Sequence, residues 1–212
     1  MLAPLKELLF PIHCFGCGEL GVEICTRCRC FWNPHFYVQH FDGLTTYSSI
    51  RYSPIAKSIL LSAKEGGIKR ADELIISALQ NALSRLPTAI KRNAILIPIP
   101  GSKRAIRKRG RDFIYDLTEE LSLRTGIPNF SGMEIGRSLL DQSGLSATDR
   151  RRNVSGAFNF SGERIEGELL LVDDLVTTGA TLLEAKRALN ATGLTVKRAI
   201  TACMAQSLNI GG

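Results

Sequence analysis

Residues 169–181, LLLVDDLVTTGAT, decide the fold of this chain, because an apolar strand runs directly into two carboxylates and a loop of small residues. Four consecutive apolar residues predict a strand that is covered on both faces, as in a parallel sheet. The segment that follows, residues 182–189 (LLEAKRAL), has its apolar residues at helical spacing. We therefore predict a strand-loop-helix unit with the loop at the N-terminus of the helix.

The loop at residues 177–181 has the composition of a phosphate-binding site. Backbone N–H groups at a helix N-terminus are unpaired, and the positive end of the helix dipole favours an anion there. Gly179 would let a phosphate approach the backbone, and the hydroxyls of Thr177, Thr178 and Thr181 would donate hydrogen bonds to it. The alternative is that the threonines only cap the helix. The strand-loop-helix context favours the phosphate site.

The two carboxylates before the loop predict a different ligand group. Asp173 and Asp174 cannot bind phosphate themselves, but they suit the paired hydroxyls of a ribose, or a Mg²⁺ ion that is shared with a pyrophosphate. The alternative is that Asp174 is a turn residue. Together with the loop, the acidic pair predicts a sugar-phosphate site.

The composition is typical of a globular protein with an anionic ligand. The chain has 212 residues, 44% of them hydrophobic, and a formal net charge of +7, which suits a polyphosphate, a nucleic acid or both. No apolar run approaches the roughly 20 residues that cross a bilayer. Pro4, Lys6 and Glu7 interrupt the N-terminus, which makes it a poor secretory signal. We therefore expect no membrane span and a cytoplasmic location.

Five of the six cysteines lie between residues 14 and 30. Cys14 with Cys17 and Cys25 with Cys28 form two Cys-x-x-Cys pairs, and four thiolates at this spacing can close a tetrahedral zinc site. Disulfides are the alternative, but a reducing compartment favours the metal. Cys30 also competes for the fourth position, and the repeated two-residue spacing favours Cys28. A closed four-sulfur site would be structural, since it leaves no position for a substrate.

The three histidines also fall in the first 40 residues and are alternative ligands: His13, His35 and His40. His35 and His40 are more simply explained as surface or packing residues, because they lie in a connector that is rich in aromatic residues. With four sulfurs available, no histidine is needed to complete the site.

Hydrophobic periodicity predicts an α/β fold for the rest of the chain. Amphipathic helices are predicted at 54–63, 70–86 and 112–124, and strands at 94–99, 169–172 and 195–202. Strands that alternate with helices indicate a mostly parallel sheet with helices on both faces.

We assign residues 1–42 to an N-terminal helix and cysteine module, and residues 43–212 to the α/β domain. Apolar periodicity lapses in residues 138–153, which include Arg150, Arg151 and Arg152 at their end. A long loop in a compact domain is commonly functional, so this segment is predicted to be a lid.

A group of basic residues follows the predicted strand at 94–99. Ligands of open parallel sheets bind beyond the carboxyl ends of the strands, where the acidic pair would also lie. Arg and Lys side chains clamp oxyanions, so the group predicts a pyrophosphate-binding segment. The alternative is a solvated, charged helix face. The group comprises Lys103, Arg104, Arg107, Lys108, Arg109 and Arg111.

Residues 172–181, VDDLVTTGAT, resemble the phosphoribosyl pyrophosphate (PRPP) motif of the type I phosphoribosyltransferases. The resemblance implies the fold of that family, and contacts of Asp173 and Asp174 with the ribose hydroxyls during catalysis. It also implies that the loop wraps the 5′-phosphate, and the basic group adds candidates for the pyrophosphate. The PRPP-binding residues expected on these grounds are Thr177, Thr178, Gly179, Ala180 and Thr181, with Lys103, Arg104 and Arg109.

Further segments extend the resemblance to the ComF-like, competence-associated branch. They are the cysteine pairs, residues 97–100 (IPIP), 109–110 (RG), 144–146 (GLS) and 150–158 (RRRNVSGAF), followed by the PRPP motif. One departure is the sequence after 109–110, where the family usually has FNQ and this chain has Arg111, Asp112 and Phe113.

The resemblance implies a phosphoribosyltransferase that binds PRPP with Mg²⁺, transfers phosphoribose to an unidentified acceptor, and is associated with natural transformation. The metal and the basic group would stabilise the departing pyrophosphate, and the lid would exclude water. The alternative is a non-catalytic or vestigial PRPP-binding protein that handles single-stranded DNA through Arg27, Arg29 and the nearby aromatic residues, together with other DNA-uptake proteins. A third interpretation is a regulator of nucleotide metabolism that binds PRPP without chemistry.

Overall fold

The apolar runs of the sequence form the central strands of the structure. The computed structural model describes residues 12–136, 147–162 and 165–205. Its main sheet has five strands: β1 (Tyr37–Phe41), β2 (Leu44–Arg51), β3 (Ala94–Pro98), β6 (Glu168–Val176) and β7 (Val196–Met204). Their order across the sheet is β1-β2-β7-β6-β3, and all neighbours are parallel except β1 and β2. A second, two-stranded sheet pairs β4 (Met133–Ile135) with β5 (Phe158–Phe160).

Helices connect the strands and cover the main sheet. They are α1 (Thr26–Phe31), α2 (Pro54–Lys64), α3 (Lys69–Ser84), α4 (Thr88–Arg92), α5 (Lys103–Arg109), α6 (Phe113–Thr125), α7 (Ala147–Val154) and α8 (Ala180–Asn190). The predictions of helices at 54–63, 70–86 and 112–124 are confirmed to within two residues at each end. No helix in the described part of the chain is long and apolar enough to cross a membrane.

Two hydrophobic cores lie on opposite faces of the main sheet. Leu170 and Val172 of β6 belong to the core that contains α2, α3 and α6, whereas Leu169 and Leu171 belong to the core that contains α8. This alternation follows from the two-residue period of a strand, with both faces buried. The predicted fold class is confirmed: a mostly parallel sheet lies between helices and carries a cysteine cluster at its N-terminal side.

Two predictions about the site segments are corrected. The strand predicted at 169–172 continues to Val176, so Asp173 and Asp174 lie within the last part of β6 instead of after it. The lid predicted at 138–153 is helical in its second part, because α7 begins at Ala147. Residues 138–146 lie outside the described residues. The predicted N-terminal helix, at residues 1–11, also lies outside them.

The cysteine module and the α/β domain share structure at the proposed boundary. Strand β1, which lies on the N-terminal side of residue 42, pairs with β2 on its other side. Cys28 and Trp32 of the module are buried in the same core as α2 and α3, and Glu23 forms an ion pair of 3.0 Å with Arg70. The division at residue 42 stays a prediction.

A buried ion pair fixes the segment between α5 and α6. The guanidinium of Arg111 donates to both carboxylate oxygens of Asp72, at 2.8 and 3.0 Å. Only 12% of the Arg111 side chain and 7% of the Asp72 side chain are exposed, so the pair makes charge-assisted hydrogen bonds away from most of the solvent. It holds the N-terminus of α6 against α3, and with it the chain that follows the basic helix α5.

Candidate functional site

The carboxyl ends of β3 and β6 bring the acidic pair and the basic segment to one edge of the sheet. The two strands are parallel neighbours, with Pro98 paired to Val172. Just after β3 ends, the backbone N–H of Ile99 donates to the carbonyl of Val172 at 3.0 Å. The chain then enters α5, so the basic residues start at the same edge as Asp173 and Asp174.

The acidic pair is held by a lysine from a different part of the chain. The ammonium of Lys64, at the last residue of α2, lies 2.9 Å from Oδ2 of Asp174. Asp174 is only 7% exposed, and its own backbone N–H donates to Oδ1 of Asp173 at 2.9 Å. The Lys64 ammonium also lies 5.6 Å from the centre of the Phe113 ring, within cation–π range.

This arrangement shifts the pKa values of the two carboxyls in opposite directions. Burial raises the pKa of Asp173 well above its ordinary value, and the neighbouring Asp174 charge adds to that effect. Burial also acts against ionisation of Asp174, but the Lys64 ammonium outweighs it and lowers the pKa of that carboxyl. At neutral pH the pair therefore favours one carboxylate on Asp174, neutralised by Lys64, beside a carboxyl on Asp173 that ionises less readily.

The loop after β6 turns into α8 at Gly179. Gly179 precedes the first residue of α8 and has a φ of 73°, a conformation that favours glycine. A Cβ at this position would lie 2.6 Å from the Phe41 ring, so a larger residue would also collide with β1. The backbone N–H of Ala180 donates to the Thr178 hydroxyl at 3.4 Å, and Thr181 is half-buried in the first turn of α8.

The predicted pyrophosphate segment is the helix α5. Ser102 caps it by accepting a hydrogen bond from the Ala105 N–H at 3.1 Å. Lys103 and Arg104, in its first turn, are exposed. Arg109, in its last turn, is already paired, because its Nε and Nη2 donate to Oε1 of Glu65 at 2.9 and 2.6 Å.

Lys64 and Glu65 are site residues that sequence reasoning missed. Lys64 contacts the acidic pair from 110 residues away in the chain, and Glu65 contacts both Arg109 and Lys108. The only local signal is the segment Lys64-Glu65-Gly66-Gly67, in which two opposite charges precede a helix-ending glycine pair. That pattern predicts a helix terminus but does not indicate what the charges contact.

Asp112, which stands where the ComF-like pattern has an asparagine, lies beside the start of the basic segment. It precedes α6, and its Oδ2 accepts a hydrogen bond from the Gly101 N–H at 3.4 Å. Its buried Oδ1 has no hydrogen-bond partner among the described residues. Burial raises the pKa of this carboxyl, so Asp112 ionises less readily than an exposed aspartate.

Four cysteines form a separate cluster at the N-terminal side of the fold. One sulfur each from Cys14, Cys17, Cys25 and Cys28 lies within 4.8 Å of the other three, and the sulfurs of Cys17 and Cys25 are 3.7 Å apart. Zinc–sulfur bonds of about 2.3 Å in a tetrahedron place the sulfurs about 3.8 Å apart. The cluster could therefore hold a metal ion such as zinc.

The surroundings of the cluster fit this function. Burial acts to raise the pKa of the Cys14 thiol, but backbone N–H groups, with that of Cys25 first, donate to its sulfur and lower the pKa to about 6. The site has no room for a side chain at Gly16, where a Cβ would lie 2.7 Å from the Cys28 sulfur. The Cys30 thiol is exposed, donates to the Thr26 carbonyl and stands outside the cluster, which identifies Cys28 as the fourth sulfur.

The histidines do not join this cluster. The His13 ring contacts the Gly18 carbonyl at 3.1 Å, and the His40 ring contacts the Thr45 hydroxyl at 3.2 Å. His35 packs edge-on against Tyr37. Among the described residues, the metal-binding group therefore consists of cysteines alone.

A cavity of about 420 Å³ lies at the opposite edge of the sheet, near the N-terminal ends of β2 and β7. Gly43, Lys186, Leu194 and Lys197 are among the residues that line it, and no carboxylate does. It lacks the paired acceptors that a ribose requires, so the chemistry favours the carboxyl edge as the candidate site.

Comparisons with known proteins agree with the predicted resemblance. No family model matches the sequence. Over 114 residues the chain is 34% identical to Competence protein F of Haemophilus influenzae, a match that covers 52% of this chain and 47% of that protein. The chain thus spans about half the length of this relative. The predicted resemblance to the ComF-like proteins is confirmed by this match.

Solved structures of phosphoribosyltransferases are also similar to the chain at low identity. Orotate phosphoribosyltransferase from Aeropyrum pernix is 15% identical, with a TM-score of 0.39 over 78% of this chain and 71% of that one. Adenine phosphoribosyltransferase from Trypanosoma brucei, in complex with AMP, pyrophosphate and ribose-5-phosphate, is 12% identical, with a TM-score of 0.41 over 84% and 92% of the two chains. The adenine enzyme from Leishmania tarentolae is 12% identical, with a TM-score of 0.39 over 79% and 94%.

We predict that Gly16→Ala lowers the zinc affinity of the cysteine cluster by about tenfold or more, because the added methyl displaces the Cys28 sulfur. Competition with a chromogenic chelator measures the affinity. The control is Cys30→Ala, which removes a thiol outside the cluster and leaves the affinity unchanged. Zinc binding by Gly16→Ala at the wild-type affinity would contradict the assignment.

We predict that Lys64→Met lowers the free energy of unfolding by about 2 kcal/mol at pH 7, because it leaves the buried Asp174 carboxylate unpaired. In wild type Lys64 holds the folded-state pKa of Asp174 below its ordinary value, so the contribution of the pair is lost only as the pH falls through that low value. Without Lys64, burial raises this pKa, so in the variant Asp174 takes up a proton, and the penalty is relieved, at a higher pH than in wild type. The gap between wild type and variant should therefore narrow from pH 7 to pH 4.

Urea unfolding at both pH values measures this gap. The matched control is Lys57→Met, which removes an exposed lysine from the same helix and should change stability by less than about 0.5 kcal/mol. A gap that stays constant or widens on acidification would show that Lys64 does not act through Asp174.

Proposed function

We propose that this chain binds PRPP at the carboxyl edge of its sheet and transfers the phosphoribosyl group to an acceptor. The observation that carries the proposal is the placement of the acidic pair beside a glycine loop that opens α8, with the basic helix α5 at the same edge. Asp173 and Asp174 would accept hydrogen bonds from the ribose hydroxyls, and Thr177, Thr178 and Thr181, with the backbone of Gly179 and Ala180, would surround the 5′-phosphate.

The reaction would depend on electrostatics and on positioning. Departure of pyrophosphate leaves positive charge on the ribose and puts negative charge on the leaving group. Lys103, Arg104 and Arg109 would stabilise that negative charge, and the acidic pair would hold the sugar so that an acceptor can approach its C1. The carboxylates and the substrate's own phosphates are the ligands that Mg²⁺ prefers, and the ion would add positive charge at the leaving group.

The cysteine cluster would contribute to folding and not to chemistry. Its four sulfurs can satisfy a tetrahedral Zn²⁺ completely, which leaves no position for a substrate. The module is buried against α2 and α3, so the bound metal would stabilise a segment that shares the main core. We further propose that the protein serves DNA uptake, which the similarity to Competence protein F supports.

The PRPP proposal predicts that the wild-type protein binds PRPP and that Asp173→Asn/Asp174→Asn lowers the affinity by at least about tenfold, because ribose hydroxyls lose charged acceptors. Isothermal titration calorimetry measures the affinity. The control Glu119→Gln/Glu166→Gln removes two exposed carboxylates and should leave binding unchanged. Equal affinities for all three proteins would refute the site.

Turnover requires its own measurement. Pyrophosphate release from PRPP is followed with a panel of nucleobases and amines as acceptors. Release that depends on one acceptor class and is absent from the Asp173→Asn/Asp174→Asn protein supports a transferase. PRPP binding without release in any combination would leave a PRPP-binding protein that is not an enzyme.

A second candidate function is the binding of single-stranded DNA by the cysteine module. The Phe31 ring is 56% exposed on α1, and Arg27, four residues earlier, lies on the same side of that helix. Phe36 is 42% exposed and stacks on Tyr47 at 5.8 Å between ring centres. Exposed aromatic rings beside arginines are typical of surfaces that stack bases and attract phosphates.

We predict that Phe31→Ala weakens the binding of a fluorescent single-stranded oligonucleotide by about fivefold or more, because one stacking contact is lost. Fluorescence anisotropy at fixed salt measures the affinity. Leu123→Ala removes an apolar side chain that is 77% exposed on α6, and serves as the control. If Phe31→Ala and Leu123→Ala bind like wild type, the module is not the DNA-binding surface.

A further inference from the structure

Lys64 and Glu65 are consecutive residues of opposite charge that contact the two halves of the proposed PRPP site. Consecutive positions at a helix end point about 100° apart, so they reach different elements. The Lys64 ammonium contacts Asp174 on β6 at 2.9 Å, and the Glu65 carboxylate contacts the last turn of α5. The end of α2 thus lies between the predicted ribose-binding and pyrophosphate-binding groups.

The contact of Glu65 with α5 uses the groups that an oxyanion would use. Oε1 of Glu65 accepts from Nε and Nη2 of Arg109 at 2.9 and 2.6 Å, and Oε2 accepts from the Lys108 ammonium at 3.0 Å. Both Arg109 donors converge on one carboxylate oxygen, and the other oxygen binds Lys108. Arginine and lysine bind phosphate oxygens with the same donors. Glu65 therefore occupies the donors that a pyrophosphate would use.

The two contacts differ in how readily they can exchange. The Asp174 side chain is 10% exposed and that of its partner Lys64 is 30% exposed, whereas the Glu65 side chain is 32% exposed between Arg109, at 18%, and Lys108, at 73%. The backbone around them is fixed, because the N–H groups of Glu65 and Gly66 both donate to the Leu61 carbonyl. Lys64 thus anchors the helix end, and the Glu65 carboxylate remains accessible to a competing anion.

We propose that Glu65 is an intramolecular competitor of the pyrophosphate group, held against Arg109 and Lys108 by the anchoring of Lys64 on Asp174, and that PRPP binds by displacing the Glu65 carboxylate. The proposal rests on the proposed PRPP site. It makes Glu65 a residue that weakens ligand binding, in contrast to the residues that bind the ligand directly. Its function would be to occupy the last turn of the basic helix until a polyanion of sufficient charge arrives.

The test compares Glu65→Gln with a charge-matched control. Glu73 makes a similar contact elsewhere, since both of its carboxylate oxygens accept from Arg124, at the C-terminal end of α6. That end lies about 18 Å along the helix from Phe113. Glu65→Gln and Glu73→Gln each remove one negative charge and one Glu–Arg pair, and Glu65→Gln also removes the contact with Lys108. The control therefore matches the change in net charge at a position far from the site.

The expected result is that Glu65→Gln binds inorganic pyrophosphate and PRPP about fivefold more tightly than wild type, which is the equivalent of one partly exposed ion pair. Glu73→Gln should bind both ligands like wild type. Glu65→Asp, which keeps the charge but shortens its reach, should give an intermediate affinity. Isothermal titration calorimetry at fixed ionic strength measures all four proteins.

The other outcomes overturn the proposal in distinguishable ways. If wild type binds PRPP and Glu65→Gln binds it equally or less tightly, the competitor is refuted and the PRPP site stands. If Glu65→Gln and Glu73→Gln tighten binding equally, the effect is one of net charge and the competitor is again refuted. If none of the proteins binds PRPP or pyrophosphate, both the competitor and the proposed function fail.

Discussion

Two carboxyls in a buried strand lose contact with water, and the structure must compensate the cost of that loss. Strand β6 lies between two hydrophobic cores, so Asp173 and Asp174 lose most of their water at its end. Such groups remain in a fold only when a counter-charge or a raised pKa compensates them. Asp174 has a counter-charge, the Lys64 ammonium, and Asp173 has a raised pKa. The Lys64 contact ties the end of α2, which is also packed in the core, to β6.

The parts of the fold that the sequence could predict are those with a local physical cause. The apolar run at 169–172 predicts a strand covered on both faces, and helical spacing predicts α2, α3 and α6. The four cysteines repeat one spacing, and their sulfurs do come together because Gly16 allows the close approach. Parallel order alone places the ends of β3 and β6 at one edge. Apart from the last, each of these inferences needs only residues that are near one another in the chain.

What the sequence could not predict depends on distant or weak signals. Lys64 and Asp174 are 110 residues apart in the chain, and no pattern in either segment indicates that the two residues are in contact. Helix α7 was predicted as loop, since its polar sequence, ATDRRRNV, has no apolar stripe to reveal a helical period. Strand β1 lies in the segment predicted as an aromatic connector, because it is an edge strand with few buried residues. The roles of individual residues at the PRPP site stay predictions.

Helix α2 connects the cysteine cluster to the acidic pair. In its first turn, Ile55 lies beside Gly16, where an added Cβ would contact both the Ile55 side chain and the Cys28 sulfur. About 14 Å further along the axis the helix ends at Lys64. One end of α2 thus lies at the cysteine cluster, and the other end lies at the acidic pair. If metal at the cysteines shifts or tightens α2, the affinity at the acidic pair changes, and thermodynamic reciprocity requires the ligand to change the metal affinity by the same factor. The two sites would then be coupled through α2, and metal loading would change the affinity for the proposed sugar-phosphate ligand.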